Sequence, residues 1–480
     1  IGFARDAHMN MLRVWGGGIY EQEIFYDLCD RNGIMVWQDF MFACGEYPEE
    51  KRFLQNVTDE AAKAVTRLRN HPSIAVWCGN NECEWIFCRE NAGARPNEMR
   101  GSTIFRNILP SVCRSLDGTR PYWRSSPFGD GFPNDPSSGN HHQWEMWGMW
   151  KDYTEYENDP ARFVTEFGFQ APPHLRTLEP MTIASDREAQ SRVMQHHNKL
   201  PEGTERIFRF QAGHLPLPGD FEDFIYKGQI VQAEALKTAV EHWRRRKFRT
   251  AGSLFWQLND CWPVTSWSVI DSTLRPKAAY YFAKKFFAPI LVSFRRSARI
   301  LEVWGTSDLL QPIRSELTVI ARTFDGNELW REKRSITLPR NGSKLLWTIP
   351  PSALSSIDPG SAYIHAQLMS SRKTLAENRF FLLEPKHLDR QPFDAKATIS
   401  RIDAETVGID VLSTHLVKYA MIDGEGIDVV MDDNFFDVDP GIQKTLLLRT
   451  NLPVKELRSR LRARSLWSGR VPADQFFKER

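Results

Sequence analysis

Between residues 10 and 260 the chain alternates short, nearly continuous apolar runs with longer segments whose apolar residues recur at helical spacing. The runs are NMLRVWGG (10–17), IMVWQDF (34–40), IAVWCGNN (74–81), PYWRSS (121–126), HHQWEMW (141–147), RFVTEFGF (162–169) and SLFWQLND (253–260). They read as strands of a parallel sheet buried on both faces, with the segments between them as covering helices. EQEIFYDLCDRNG is stopped by Gly33, and DEAAKAVTRLRNHP is ended by Pro72. Seven such strands, each ending in polar or aromatic residues, predict an α/β fold: a (β/α)8 TIM barrel lacking its first strand, with its chemistry at the C-terminal strand ends. The chain opens in the helix before NMLRVWGG, so the first strand is expected upstream of Ile1. The opening IGFARDAHMN, without initiator Met or signal-peptide core, likewise reads as mid-protein. A doubly wound open sheet is the alternative, but Gly16 to Gly18 lead into IYEQE and not into a phosphate loop or dinucleotide fingerprint.

After Pro289 the pattern changes to short alternating stretches such as ELTVIART, SAYIHAQLM and RFFLLEP, separated by the turn signals DGN, RNG and DPG. That is the pattern of an antiparallel sandwich. The expected domains are a catalytic barrel over 1–289, a β-sandwich over 290–384, the polar proline-containing linker EPKHLDRQP, and a second β-sandwich over 393–480.

Composition narrows the function by exclusion. Lys and Arg total 62 against 60 for Asp and Glu, so the balance of +2 gives no reason to expect nucleic acid or an anionic membrane. No apolar run reaches the roughly 18 residues of a membrane span. Seven cysteines, an odd number, all lie between Cys29 and Cys261, which argues against a disulfide framework. Cys78, Cys83 and Cys88 recur every five residues, not a zinc spacing, and read as buried free thiols. Sixteen Trp are present, and Trp15, Trp37, Trp77, Trp123, Trp144, Trp147 and Trp256 fall near strand ends. Any one of them is most simply a core residue. Several together, among polar neighbours, suggest an apolar platform in a pocket suited to the C–H faces of sugar rings.

Two strand ends carry a glutamate where burial would otherwise forbid one: Glu82 after GNN, and Glu166 within RFVTEFGFQ. In a barrel both would face one pocket, and paired carboxylates suit glycoside hydrolysis. Glu84 reads as a loop residue, and His196 and His197, in the polar helical stretch AQSRVMQHHNKL, as a solvated face and not a ligand pair.

MNMLRVWGGGIYE, VWQDFMFAC, GNNE, TEFGFQ and LFWQLNDCWPVTSWSVID together, in this order, resemble the β-mannosidases of glycoside hydrolase family 2 over most of residues 5 to 292. The resemblance implies Glu82 as acid/base, Glu166 as nucleophile, Asn81 as the amide meeting the sugar's 2-hydroxyl, and Arg13 as partner of the nucleophile. Trp15, Trp144 and Trp256 match aromatic positions lining the sugar subsite, and His142 and Gln38 or Asp39 match polar ones. Asp39 has a competing reading as a turn cap, and His142 as a satisfied core histidine. The downstream sandwiches resemble the family's immunoglobulin-like domains. The implied activity is retaining, exo-acting hydrolysis of terminal non-reducing β-D-mannose from oligosaccharides or glycans, with no metal or cofactor. A sister specificity (β-glucosaminidase, β-galactosidase or β-glucuronidase) and a non-catalytic carbohydrate-binding protein are the alternatives. Compartment and oligomeric state are left open.

Overall fold

In the computed structural model, residues 1–297 and 300–477 are described; Ala298 and Arg299, inside the stretch read as ILVSFRRSARILEVWG, and the last three residues of the expected second sandwich lie outside them. The chain divides into two compact units, residues 1–168 with 246–256, and residues 169–245 with 257–480.

The first unit is built on parallel strands. β1 (Met11–Val14), β2 (Met35–Asp39), β3 (Ile74–Cys78) and β4 (Tyr122–Trp123) form one parallel sheet in chain order, and β5 (His141–Gln143) pairs in parallel with β6 (Val164–Phe167). Helices Glu23–Asn32 and Lys51–Leu68 connect the first three strands. Gly33 ends the first of these in the left-handed conformation, φ 65°, as its sequence position predicts. The second starts at Lys51, ahead of the expected DEAAKAV, and buries Val57, Ala61, Ala64, Val65 and Leu68 along one face.

Three local expectations are corrected. HHQWEMW is a strand only through Gln143; Glu145–Gly148 turns into a short helix. Glu84 lies in helix Cys83–Glu90 and not in a loop, buried and held by Arg124 at 2.6 Å, which is why a carboxylate can sit there. SLFWQLND forms no continuous strand. Ser253 bridges Val164, and the Leu254 and Trp256 amides donate to the carbonyls of Val164 and Phe167. Three residues of β6 therefore span two of this segment. The same extra residue shows on the other side, where His141 pairs with Val164 but His142 with Glu166. Thr165 is thus a β-bulge, which breaks the ladder and re-aims the side chain that follows it, Glu166.

In the second unit, helices Gly203–His214, Phe221–Arg245 and Ala278–Phe286 precede two antiparallel sandwiches. The first pairs a three-stranded sheet (Gly342–Ile349, Ile300–Ser307, Ile290–Ser297) with a four-stranded one (Glu328–Leu338, Ile313–Thr323, Ala362–Ser370, Lys373–Phe381). Its core includes Val292, Val303, Leu317, Val319 and Ile364. The second sandwich, from Lys396 onward, has its own core around Val407, Ile409, Ile422, Leu446 and Leu448. The expected linker is not a loose tether: Leu388 is buried with Phe324, Tyr363 and Leu416, and Glu384 accepts from His214 at 2.8 Å.

Candidate active site

Strand alternation decides which residues meet inside the first unit. Arg13 is in register with Trp37, two residues before Asp39, so Arg13, Trp37 and Asp39 share a face, whereas Gln38 points the other way. Gln38 is fully buried against helix Glu23–Asn32, where Tyr26 donates to it at 2.7 Å. Of the pair Gln38 and Asp39, the structure brings only Asp39 to the site. Asp39 accepts from Arg13 Nη2 at 2.8 Å, from Trp37 Nε1 at 2.8 Å and from the Gly16 amide at 3.0 Å. Glycine is required at that position for a separate reason: a Cβ on Gly16 would lie 2.5 Å from the Phe42 carbonyl oxygen.

Arg13 also donates to Glu166 Oε1 at 2.6 Å and to Asn81 Oδ1 at 2.7 Å. Trp144 Nε1 donates to Glu166 Oε2 at 3.1 Å. The Glu82 carboxylate meets His142 Nδ1 at 2.7 Å and the Cys44 thiol at 3.6 Å. One oxygen of Glu82, one of Glu166 and a ring nitrogen of His142 lie within 4.8 Å of one another. Trp15 and Trp256 make an edge contact at 4.9 Å, both half-exposed, as is Trp144. The remaining strand-end tryptophans divide: Trp37, Trp77 and Trp147 are core residues, and Trp123 is half-buried against Phe128.

The turn after β3 shows why a buried strand ends in GNNE. Gly79 admits close approach, since a Cβ would sit 2.3 Å from the Arg124 carbonyl oxygen. Asn80 caps the following helix by accepting from the Cys83 amide, and its side-chain NH2 donates to Arg124 O at 3.0 Å. Glu82 is left at φ 62°, a left-handed conformation that costs a non-glycine residue roughly 1 kcal/mol or more, with its carboxylate against His142 and Cys44. Cys44, facing it, is also left-handed at φ 55°.

Burial pushes Glu82 above the ordinary carboxylate range, with Arg13 and the Cys44 contact opposing. Burial pushes Glu166 up as well, opposed by His142 and Arg13. The two share the His142 imidazole, 2.7 Å from Glu82 and 3.4 Å from Glu166, but Glu166 is also touched by a guanidinium and Glu82 by a thiol. Burial drives His142 down to about 3, so it is neutral. Burial disfavours the charge of Arg13, but Asp39 and Glu166 more than restore it. The Glu82, His142 and Glu166 atoms have a spacing that could also hold a cation, against which the Arg13 charge works. A second such group, Asp27, Asp30 and His71, has His71 already engaged by Asp30 at 2.7 Å and Glu23 at 3.2 Å.

Sequence reasoning did not pick out Ser126, Asn140, Thr165 or Cys44. The first three surround the far side of His142, and Cys44 lies beside Glu82. His197, unlike the solvated face its sequence context predicts, is half-buried with Nδ1 2.6 Å from the Pro263 carbonyl oxygen, while His196 is exposed. Cys78, Cys83 and Cys88 are buried free thiols.

Residues 19–126 match the model of the glycosyl hydrolases family 2 TIM barrel domain; residues 299–387 match a mannosidase Ig/CBM-like domain and residues 392–468 an Ig-fold domain of mannosidases. The chain belongs to glycoside hydrolase family 2. Among curated members of the family, it is 32% identical to beta-mannosidase B of Thermothelomyces thermophilus over 480 residues, 91% of this chain and 56% of that protein. Beta-mannosidase B of Emericella nidulans is also 32% identical, over 93% of this chain and 57% of its own length. The family 2 chain thus spans little more than half the length of these relatives. The crystal structure of the β-D-mannosidase from Dictyoglomus thermophilum superposes with a TM-score of 0.90 at 39% identity, covering 96% of this chain and 57% of that one. The exo-chitosanase CsxA of Amycolatopsis orientalis shares the fold, TM-score 0.73 at 16% identity. A partial TIM barrel followed by Ig-like β-sandwich domains is therefore the family 2 architecture of this chain.

Proposed function

We propose that the protein is a retaining exo-β-mannosidase that removes terminal non-reducing β-D-mannose from oligosaccharides or glycans. The observation that carries the mechanism is the approach of a Glu82 oxygen to within 4.8 Å of a Glu166 oxygen. Retaining glycosidases hold their two carboxyl groups about 5–5.5 Å apart, whereas inverting ones leave about 6.5–9.5 Å for a water. Glu166, with Arg13 and the Trp144 N–H answering its charge, is the nucleophile: it bonds to the anomeric carbon as the glycosidic C–O bond breaks. Glu82, whose direct partners are neutral, delivers its proton to the departing oxygen, then takes one from the water that releases mannose. Asn81, oriented by Arg13, contacts the sugar's 2-hydroxyl. Trp15 and Trp256 offer the apolar edge against which a pyranose packs. The names of the relatives support the manno preference.

The test is incubation with 2-deoxy-2-fluoro-β-D-mannosyl fluoride followed by peptide mapping. A single 2-fluoromannosyl ester on Glu166 is expected. An adduct on another carboxylate, or trapping by the gluco analogue and not by the manno one, would overturn the assignment.

A further inference from the structure

Asp39 ends β2 with no part of its side chain open to solvent, so a sugar in the pocket cannot reach its carboxylate without displacing protein. Both of its oxygens are already taken by donors: Oδ1 by Trp37 Nε1, and Oδ2 by the Gly16 amide and Arg13 Nη2. Three N–H donors converging on one carboxyl group are the surroundings of an ionised carboxylate. The Arg13 guanidinium is thereby directed. One proton of Nη2 goes to Asp39 and the other to Asn81 Oδ1 at 2.7 Å, while Nη1 turns to Glu166 Oε1 at 2.6 Å. Arginine can only donate, so Asn81 meets it with the amide oxygen, and its NH2 is aimed elsewhere, with Cys44 Sγ at 3.5 Å.

We infer that Asp39 is a positioning residue that acts through Arg13 and not on the sugar: it fixes how the guanidinium faces Asn81 and Glu166, and its negative charge offsets that of Arg13, which keeps Glu82 in its acid form. This rests on Glu82 being the acid/base and Glu166 the nucleophile. The charges around the pair show why an offset is needed. Burial favours the proton on Glu82, and the charge of Arg13 is the largest influence against it. Arg89, exposed on the helix that follows Glu82, adds a smaller pull in the same direction. The remaining titratable neighbours carry no charge that could correct this. His142, which meets both glutamates, is neutral. Burial, then the charge of Asp39, keeps the Cys78 thiol protonated, and burial, then Glu82, does the same for Cys44. Asp39 and Glu166 thus set two negative charges against one cation, and ionising Glu82 would add a third. Without Asp39, Arg13 would be balanced by Glu166 alone, and Glu82 would give up its proton more readily.

The test is the pH profile of kcat/KM on an aryl β-mannoside, whose two limbs report the ionisation of the glutamate pair in the free enzyme. Asp39→Asn removes the charge and keeps the shape, and it should move both limbs to lower pH by about 0.5–1 unit, with KM changed less than about threefold. The asparagine NH2 must face one of the three donors, at least cost Trp37, so the Trp37→Phe, Asp39→Asn double variant should show the same shift with that conflict removed. Asp39→Glu keeps the charge but not the geometry, and should lower the rate while leaving both limbs in place. A slower Asp39→Asn enzyme with unmoved limbs would reduce Asp39 to a structural part, and a raised KM with unmoved limbs would make it a sugar contact; either overturns the proposal. Should these variants not fold, a neutron structure of the unsubstituted protein in mildly acidic D2O decides it. A bare Asp39, a deuteron on Glu82 and the Asn81 oxygen toward Arg13 are expected, whereas a deuteron on Asp39, a bare Glu82 or the Asn81 nitrogen toward Arg13 would overturn it. Hydrolysis of no aryl β-glycoside by the unsubstituted protein would instead sink the hydrolase reading, with the charge of Asp39 still decided by the neutron structure.

Discussion

Two buried ionic clusters, one at the barrel strand ends and one where the two sandwiches meet, use the same residue types to opposite effect. Between the sandwiches, Arg379 grips Asp439 with two hydrogen bonds of 2.8 and 2.6 Å, and Tyr363 adds a third at 2.9 Å. Burial alone would raise the Asp439 pKa, but Arg379 and its companions hold it below the ordinary carboxylate range. At the strand ends a single guanidinium, Arg13, is divided between Asp39 and Glu166, with Glu82 close by and His142 neutral. There burial prevails, and both Glu82 and Glu166 stand above the ordinary range. Arg379 also reaches Glu377, at 3.4 Å, but it gives Asp439 two short bonds. A buried carboxylate gripped twice by its cation is a structural part, and one that takes a single bond from its cation, or none, is ready to hold and release a proton.

The largest effect should separate the clusters outright. Glu166→Ala is expected to lower kcat on an aryl β-mannoside by more than about 10³-fold, while Asp439→Ala leaves kcat within about twofold. Asp439→Ala should in turn cost about 3–5 kcal/mol in urea unfolding, because it leaves Arg379 only its longer contact with Glu377, at 3.4 Å. Glu166→Ala should cost less, since Arg13 keeps Asp39. A Glu166→Ala enzyme within tenfold of the parent would remove the distinction.

The next contrast is in the sign of the pH dependence. The folded pKa of Glu82 is raised, so between its unfolded and folded values the native state binds the extra proton and stability is lost as pH rises. Glu82→Gln should therefore stabilise the protein by about 1 kcal/mol at neutral pH, with the gain fading as pH falls below the ordinary carboxylate range. The folded pKa of Asp439 is lowered, so its contribution is present above the unfolded value and lost as pH falls through the folded one. Asp439→Asn should destabilise at neutral pH and cease to matter in acid. Unfolding curves from pH 3 to 8 for both variants should cross the parent's trend from opposite sides. Parallel trends would mean that the clusters are electrostatically alike.

A smaller effect concerns a single donor. Trp144→Phe keeps the aromatic wall but removes the N–H that meets Glu166 Oε2 at 3.1 Å. The loss of one such bond, about 1 kcal/mol, corresponds to roughly fivefold in kcat/KM. No change would mean that Trp144 serves only as apolar surface.

How far this contrast was readable from the sequence depends on which interaction holds each residue. Asn81, Glu82 and Glu166 stand out because a carboxylate or amide at the end of an apolar strand is anomalous on its own, whereas Arg13 is reached only through the family resemblance. Gln38 and Asp39 were not separable without the strand register, which places one against Tyr26 and the other against Arg13. Ser126 and Thr165 lie within the recognised stretches PYWRSS and TEFGFQ, yet a serine or threonine at a strand end is unremarkable until a bulge and a neighbouring strand bring the hydroxyls together. The bulge also explains the seventh run, SLFWQLND: its composition is that of a strand, but the slipped register of β6 denies it a ladder. In the sandwiches, two-residue alternation was sufficient to find the sheets. Arg379 and Asp439 lie 60 residues apart in different sandwiches, and nothing local marks them as a pair.

The finest probe of the strand-end cluster is Cys44. Its sulfur lies 3.6 Å from Glu82 Oε2 and accepts from the Asn81 NH2 at 3.5 Å. Shielding of the sulfur, and then the nearby Glu82 charge, push the thiol up to about 12, so very little thiolate exists near neutrality although the residue is exposed. Iodoacetamide at pH 8 should therefore label Cys44 more slowly than the other exposed thiol, Cys261, by about tenfold or more. Glu82→Gln removes the charge beside the sulfur and should speed Cys44 labelling a few-fold while leaving Cys261 unchanged, as read by peptide mass spectrometry over time. Because shielding is the larger cause, the acceleration should stay modest. A Cys44 rate that ignores the Glu82 substitution would mean that Oε2 carries no appreciable charge toward the thiol, and the under-compensated character of the cluster would then rest on Glu166 alone.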